Sequence, residues 1–404
     1  MPACLDVTSS STTADAVVVG GGTIGAWCAV FLKAAGLEHV VLLEADRLGK
    51  GASSRAAGMV RAQGGTDHAV RLGLWTRDFY ARQRDELPLD SGFVAQGYCM
   101  PSFTEGEVEQ AHARIAMQQA LGLEVRWLTG AEFDELNPAV AAGRTLGSSY
   151  APGDGYIDPP RNVLAYTAAL VSSGVDVREG VAFTGLGTDG GRVVAVATSE
   201  GDVATDRVVL TGGPQLAEVG RLAGARVPAG GTRHQVVVTE PHPDLVPDRL
   251  PMVFDVQAGI YWRPEEGGLL WGMSNPEEPP GIAREFDHDY FALMRARVAD
   301  LVPVTGKLGL RRTWAATIDF TPDHLPILGP LLVDGGPVDG TVVAAAGGHG
   351  MMWGPAVSRA AADLALTGRT GVVDVTDLGL DRFDAEGRSR LAPDPIALPF
   401  PERT

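Results

Sequence analysis

Three glycines and one acid carry the first chemistry legible in this chain. Gly20, Gly22 and Gly25 lie in the run Gly20-Gly21-Gly22-Thr23-Ile24-Gly25, and Glu44 follows 44 − 25 = 19 positions after the last of them. Glycine lets a backbone turn sharply and approach a ligand with no Cβ in the way. A helix starting behind such a turn presents unpaired amides and the positive end of its dipole, which suit a pyrophosphate. A carboxylate at that distance can hold ribose hydroxyls, and it would repel a 2′-phosphate. The pattern predicts a dinucleotide of the FAD or NAD type rather than NADP. A glycine turn without a ligand is the plainer alternative, and the elements on either side argue against it.

Those elements are a β-branched run, Ala16 to Val19, a helix-length segment from Ala26 to Ala35 stopped by Gly36, and a second apolar run, Val40 to Leu43, that delivers Glu44. Beyond it, Ser53 or Ser54 is expected to cap a new helix. Arg55 and Arg61 flank an apolar stretch, and each reads either as a solvated charge or as a site residue.

The totals bound the rest. The 404 residues suffice for two or more packed units, and 45% hydrophobic with 21% charged residues is an ordinary globular composition. A net charge of −17 argues against nucleic acid as a partner. Three cysteines, Cys4, Cys28 and Cys99, make no disulfide framework, so a cytoplasmic setting is expected. The uncharged stretch from Ala16 to Leu32 is short for a membrane span and is broken by glycines, and acids rather than a basic region precede it.

Along the chain, helices are expected at about 68–86, Glu105 to Leu121, Arg161 to Ser172, Phe286 to Leu301, and from the end of the Gly347–Pro355 run through Leu366. Short strands are expected at Val175–Arg178, Val181–Phe183, Val193–Thr198 and Val203–Thr205, forming an inserted β-meander. A buried strand, Arg207 to Leu210, runs into Thr211-Gly212-Gly213. Gly259–Pro264 and Gly268–Met273 should pair as a hairpin, with Tyr261 and Arg263 on one face and Trp262 on the other.

The fingerprint, the Ala56-Ala57-Gly58-Met59-Val60-Arg61 stretch, the Asp154 to Pro159 loop, the Thr321-Pro322-Asp323 to Gly329 segment and the Gly348-His349-Gly350 turn together resemble the FAD-dependent amino-acid and amine oxidoreductases of the D-amino-acid, glycine and sarcosine oxidase type. The resemblance covers nearly all of residues 14–390. It implies an α/β, two-domain fold: a Rossmann-like FAD-binding domain with an inserted meander, and an antiparallel-sheet substrate domain. The expected division is 14–95, 151–227 and 311–390 for FAD, 96–150 and 228–310 for substrate, with 1–13 and 391–404 as flexible ends.

The implied activity is oxidation of a C–N bond by hydride transfer to flavin, giving an imine, on an amino acid or secondary amine that bears a carboxylate. Oxygen or an electron carrier would take the electrons. A 2-hydroxy-acid dehydrogenase, a flavin subunit of a larger complex and an NAD dehydrogenase are the alternatives. Carried over residue by residue, Arg61 would hold the substrate carboxylate. Tyr261 would contact substrate or be a buried sheet tyrosine. His349 would sit where the terminal helix aims at the flavin's pyrimidine edge, or be a hydrogen-bonded loop histidine. The cofactor would rest on Gly20, Gly22, Thr23, Ile24, Gly25, Glu44, Ala45, Ser53, Ser54, Arg55, Ala57, Gly58, Met59, Val181, Thr211, Gly212, Gly213, Gly348, His349, Gly350, Met351 and Met352.

The departures are specific. Ala316 stands where sarcosine oxidases link flavin through cysteine, and Arg55 where dimethylglycine-type dehydrogenases use histidine, so FAD is expected to be non-covalent. Leu270 and Met352 replace lysines of the sarcosine oxidases, and the carboxylate arginine of glycine oxidases falls near Ile318. Trp262, Trp271, Met273, Trp314, Met351, Met352 and Trp353 stand around the expected pocket; most of them are expected in the core, and a few are candidate walls for a bulkier amine.

Overall fold

A computed structural model describes residues 12–245 and 250–397. Six strands form the sheet that carries the glycine turn. Their order is Ile327–Gly329, Thr341–Ala345, Val208–Leu210, Ala16–Val19, Val40–Glu44 and Asp176–Glu179. All neighbours are parallel except the pair at the Ile327–Gly329 edge. The unbroken apolar runs follow from burial on both faces. Ala16, Val18, Val40 and Leu42 pack on one side against the helices Thr23–Ala34, Pro159–Ser173 and Gly354–Thr367. Val17, Val19, Val41 and Leu43 pack on the other against an antiparallel meander.

That meander is shorter than the sequence reading has it. Its strands are Phe183–Asp189, Arg192–Thr198 and Gly201–Ala204. Asp176–Glu179 instead joins the parallel sheet beside Val40–Glu44. Thr12–Thr13, expected to fray, pairs with Gly201–Ala204, while residues 1–11 of the expected loose leader, with Cys4, lie outside the described residues.

Eight strands form the second sheet, in the order Leu310–Phe320, Gly230–Thr239, Gly268–Ser274, Ile260–Glu265, Met252–Asp255, Tyr98–Ser102, Gly147–Ala151 and Arg126–Thr129. The hairpin forms as expected. Glu265 pairs with Gly268, and the two linking residues have positive φ, Glu266 at 49° and Gly267 at 80°, as a tight primed turn requires. The face carrying Trp262, Trp271 and Met273 packs under the helix His288–Leu301. The opposite face carries Tyr98, Val236, Val238, Phe254, Tyr261 and Leu270. The edge strand Leu310–Phe320 comes from the stretch assigned above to the cofactor domain, and on this topology we propose the division near residue 321 instead of 311.

The end of the described chain is irregular but not loose, against expectation for 391–397. Arg382 is fully buried and grips Asp323 through Nε at 2.7 Å and Nη2 at 3.0 Å. Asp394 and Ile396 are both buried. The rest of that expected flexible end, 398–404, lies outside the described residues. Among the described residues no helix is long and apolar enough to cross a membrane.

Candidate active site

A cleft of about 530 Å³ runs between the glycine turn and the Tyr261 face of the large sheet. At its cofactor end the geometry is built from backbone. Gly20 has φ +98°, and a Cβ there would lie 2.6 Å from Thr211 Oγ1. A Cβ on Gly25 would stand 1.9 Å from the Gly20 carbonyl oxygen, so the third glycine lets the first helix press against the strand end. Gly22 caps that helix with no side-chain bond of its own. The cap comes from across the fold: Ser53 Oγ accepts from Thr23 N at 2.9 Å. Ser53 thus serves the first helix and not a new one, since only a short 3-10 turn, Ala52–Ser54, forms locally.

Glu44 is fixed by two backbone donors, Gly21 N to Oε2 at 2.8 Å and Asp46 N to Oε1 at 2.9 Å. Glu44 lines the cleft and keeps acceptor capacity beyond those two bonds. These features fit a dinucleotide: a helix start with first-turn amides, a glycine turn with no space for side chains, and an oriented carboxylate.

The cleft brings together most of the expected cofactor residues. Gly20, Gly22, Thr23, Ile24, Gly25, Glu44, Ala45, Ser53, Arg55, Ala57, Gly58, Met59, Thr211, Gly212, Gly213, Gly348, His349, Gly350, Met351 and Met352 all line it, as do Arg61 and Tyr261. Two do not. Ser54 turns away into a shallow groove with Asp46, Pro160 and Leu164. Val181 is buried behind the strand end, where its amide donates to the Glu44 carbonyl at 3.1 Å.

The expected aromatic wall is also elsewhere. Trp262, Trp271 and Met273 belong to the far face of the sheet, Trp353 lies in the helix core, and Trp314 bonds the Arg55 carbonyl at 2.8 Å. Of that set only Met351 and Met352 reach the cleft.

At the substrate end the site is built from side chains. Arg61 is only 3% exposed, donates to the Gln63 and Ile396 carbonyls, and lies over the Phe254 ring at 5.6 Å. Tyr261 pairs with a residue the sequence reading missed, His234. Tyr261 Oη and His234 Nε2 stand 2.6 Å apart, the two rings stack, and His234 Nδ1 meets Ser274 Oγ at 3.1 Å. Burial depresses His234 to about 4 and pushes the Tyr261 hydroxyl far up, so both are neutral near pH 7. The signal for His234 was its period-two spacing from Val236 and Val238, which shows only once the strand's face is known.

The sequence reading also missed Asp319, Tyr98, Phe254 and Arg284, all of which line the cleft. Asp319 Oδ2 accepts from Gly348 N at 3.3 Å and so steadies the glycine turn that carries His349. Burial raises its carboxyl. His349 is at once a bonded loop residue and a cleft residue. Its Nδ1 lies 3.2 Å from the Gly347 carbonyl and its ring rests on Trp353. Burial first, then the Arg61 charge, keeps it neutral. The helix itself starts later, at Gly354, and the amides of Met352 and Trp353 are taken by the His349 carbonyl.

Comparison with known proteins agrees with this geometry. The chain is 31% identical over 385 residues to 4-methylaminobutanoate oxidase (formaldehyde-forming) of Paenarthrobacter nicotinovorans, covering 93% of this chain and 46% of that protein. It is 31% identical over 333 residues to mouse mitochondrial sarcosine dehydrogenase, covering 79% of this chain and 36% of the other. The chain therefore spans less than half the length of these two relatives. Glycine oxidase of Geobacillus kaustophilus is 30% identical over 325 residues, covering 78% of this chain and 84% of that one. A crystal structure of glycine oxidase from Geobacillus kaustophilus superposes with a TM-score of 0.80 at 27% identity, over 93% of this chain and all of that one. Residues 15–364 match the model of a single family, and with it the glycine turn, the buried arginine and the two-sheet architecture have one explanation: the chain belongs to the FAD dependent oxidoreductases.

Proposed function

We propose that this chain oxidises the C–N bond of an amino acid or secondary amine that carries a carboxylate. The observation that carries the reading is Arg61: a guanidinium buried beside Tyr98 and Phe254, lining the cleft, with donors beyond the two it spends on backbone carbonyls. A carboxylate suits that fork better than any neutral group. The named relatives act, by their names, on 4-methylaminobutanoate, sarcosine and glycine, each an amine with a carboxylate.

Bound FAD would supply the hydride acceptor. This chain's residues orient and hold protons. Arg61 fixes the acid end, and the His234–Tyr261 pair offers a neutral donor and acceptor to the amine, which must be unprotonated to react. His349 and the Asp319-braced turn would face the ring system. FAD would be non-covalent, because the two linking positions are Ala316 and Arg55, both on the cleft wall. Release of intact flavin on acid denaturation supports this; flavin remaining with the precipitate opposes it. The electron acceptor is oxygen or a carrier protein, and mixing the reduced protein with air decides between them. A cytoplasmic setting accords with free, buried Cys28 and Cys99.

The test is Arg61→Ala, assayed anaerobically by flavin bleaching. KM for a carboxylated amine should rise by about tenfold to a hundredfold, the worth of a charged hydrogen bond. KM for the same amine lacking its carboxylate should stay within about twofold. An unchanged KM for the carboxylated amine removes Arg61 from the substrate site.

A further inference from the structure

The segment from Ser389 to Ala397 has no part in the cofactor cradle, yet it is anchored with unusual care. The buried Arg382–Asp323 pair welds the preceding turn to the end of the large sheet, and Ser389 Oγ donates to Asp323 Oδ2 at 2.6 Å. The Asp323 carbonyl then accepts from Asp394 N at 3.1 Å. Asp394 Oδ1 accepts from Ile396 N at 3.0 Å and so closes a tight turn. That turn aims the Ile396 carbonyl at Arg61 Nη2, 3.1 Å away. The Ile396 side chain is fully buried in the cluster holding Met59, Tyr98, Phe254 and Tyr261, the apolar wall of the substrate end.

The other side of the contact is shaped to receive it. A Cβ on Gly65 would lie 2.1 Å from Asp394 Oδ1, so only glycine allows the carboxylate this close to the Arg61–Gly65 stretch. Asp394 Oδ2 is buried and has no hydrogen-bond partner, and it interacts with the charges of Arg61 and Arg114. A guanidinium has five N–H donors in one plane. One on each terminal nitrogen is held by the Gln63 and Ile396 carbonyls, which pins the plane from two sides, and Tyr98 takes a further contact.

We propose that Asp394 and Ile396 are positioning residues for the substrate carboxylate: the Asp394 turn presents the Ile396 carbonyl, which fixes the plane of the Arg61 guanidinium. The inference rests on the reading of Arg61 given above. It predicts that the acceptor on residue 394 matters, and its charge does not. Asparagine keeps the acceptor for Ile396 N; alanine removes it.

The experiment uses the full-length, flavin-loaded protein and acetate as the carboxylate probe, followed by the shift it causes in flavin absorbance. A carboxylate-free amine, N-methylpropylamine, is the control ligand. Asp394→Ala should raise the acetate dissociation constant by about tenfold, with the amine changed less than about twofold, while Asp394→Asn should stay near the parent protein. Three results overturn the proposal. Asp394→Ala binds acetate like the parent while Arg61→Ala does not. Both Asp394 variants weaken binding alike, which assigns the effect to charge. Acetate and the amine weaken together, which assigns it to general disorder. If Arg61→Ala itself leaves acetate binding unchanged, the reading of Arg61 fails first, and the proposal with it. Should Asp394→Ala not retain flavin, Gly65→Ala displaces the same carboxylate while keeping it in the chain, and the selective loss of acetate is then required of that variant.

Discussion

The two ends of the cleft are made of different material. The cofactor end is backbone: glycines with no room for a Cβ, a helix start, and one carboxylate pinned by amides. The substrate end is side chain: Arg61, His234, Phe254 and Tyr261, drawn from positions up to 261 − 61 = 200 apart. A backbone site tolerates almost no substitution and accepts one ligand shape. A side-chain site can be rebuilt residue by residue while the cofactor stays bound. A shared cofactor with varied substrates among relatives is what such a division would allow.

The largest effect should come from breaking the backbone end. Gly25→Ala places a methyl 1.9 Å from the Gly20 carbonyl oxygen, and no flexible side chain can yield there. The purified variant should be colourless, or fail to accumulate, as judged by flavin absorbance per protein. A normally yellow Gly25→Ala protein would mean that the turn has slack, and the contrast between the two ends would lose its basis.

Legibility in the sequence divides along the same line. The cradle lies within Ala16 to Glu44, so strand, turn, helix and acid could be read from neighbours alone. The hairpin and its parity were equally local, and Tyr261 and Trp262 do face opposite ways. What could not be read was which face fronts the cleft. That depends on how Gly230–Thr239 pairs with Gly268–Ser274, a register that sets His234 opposite Ser274. Hence His234 was missed, and the few tryptophans that could wall the cleft could not be told from the majority expected in the core. Ser54 lies off the cleft because one step from Ser53, which lines it, the side chain turns away, and Val181 lies behind the strand end with its amide on the Glu44 carbonyl. Ile396 was illegible because nothing local marks a residue that docks 335 positions from its partner.

The substrate end makes its own prediction about pH. His234 is buried and neutral with its pKa depressed to about 4 from 6.5. The unfolded chain therefore binds the proton more readily than the folded one. Stability from this group is complete above about pH 6.5 and declines as pH falls towards 4, by up to about 3 kcal/mol. The melting temperature should drop across that window, and His234→Gln should flatten the drop. Parallel curves for the two proteins would mean that His234 carries its charge in the fold.

A smaller effect sharpens the contrast between two glycines. A Cβ on Gly272 would lie 2.3 Å from Tyr261 Oη and 3.0 Å from the Gln235 carbonyl oxygen, so here the nearest obstacle is a side chain and the backbone contact is the lesser one. Gly272→Ala should push Tyr261 off His234, keep the flavin, and lower turnover by about tenfold or more, within the range of lost acid–base assistance. Gly25→Ala and Gly272→Ala thus pose a similar steric insult with opposite readouts, lost cofactor against lost rate. A colourless Gly272→Ala protein would show that the two ends are one cooperative unit.

The smallest expected effect falls on the one side chain of the cradle that mixes both materials. Glu44 offers an oxygen to Gly21 N and another to Asp46 N, at 2.8 Å and 2.9 Å. Glutamine has a single carbonyl oxygen, so one amide loses its acceptor and faces an NH2 group instead. A single such loss costs about 1 kcal/mol, or about fivefold in flavin affinity. Glu44→Gln should remain yellow as purified but release flavin more readily on dilution, measured as the rise of free-flavin fluorescence. Because the change leaves every glycine of the turn in place, a complete loss of flavin would transfer the weight of the cradle from its backbone to this one carboxylate.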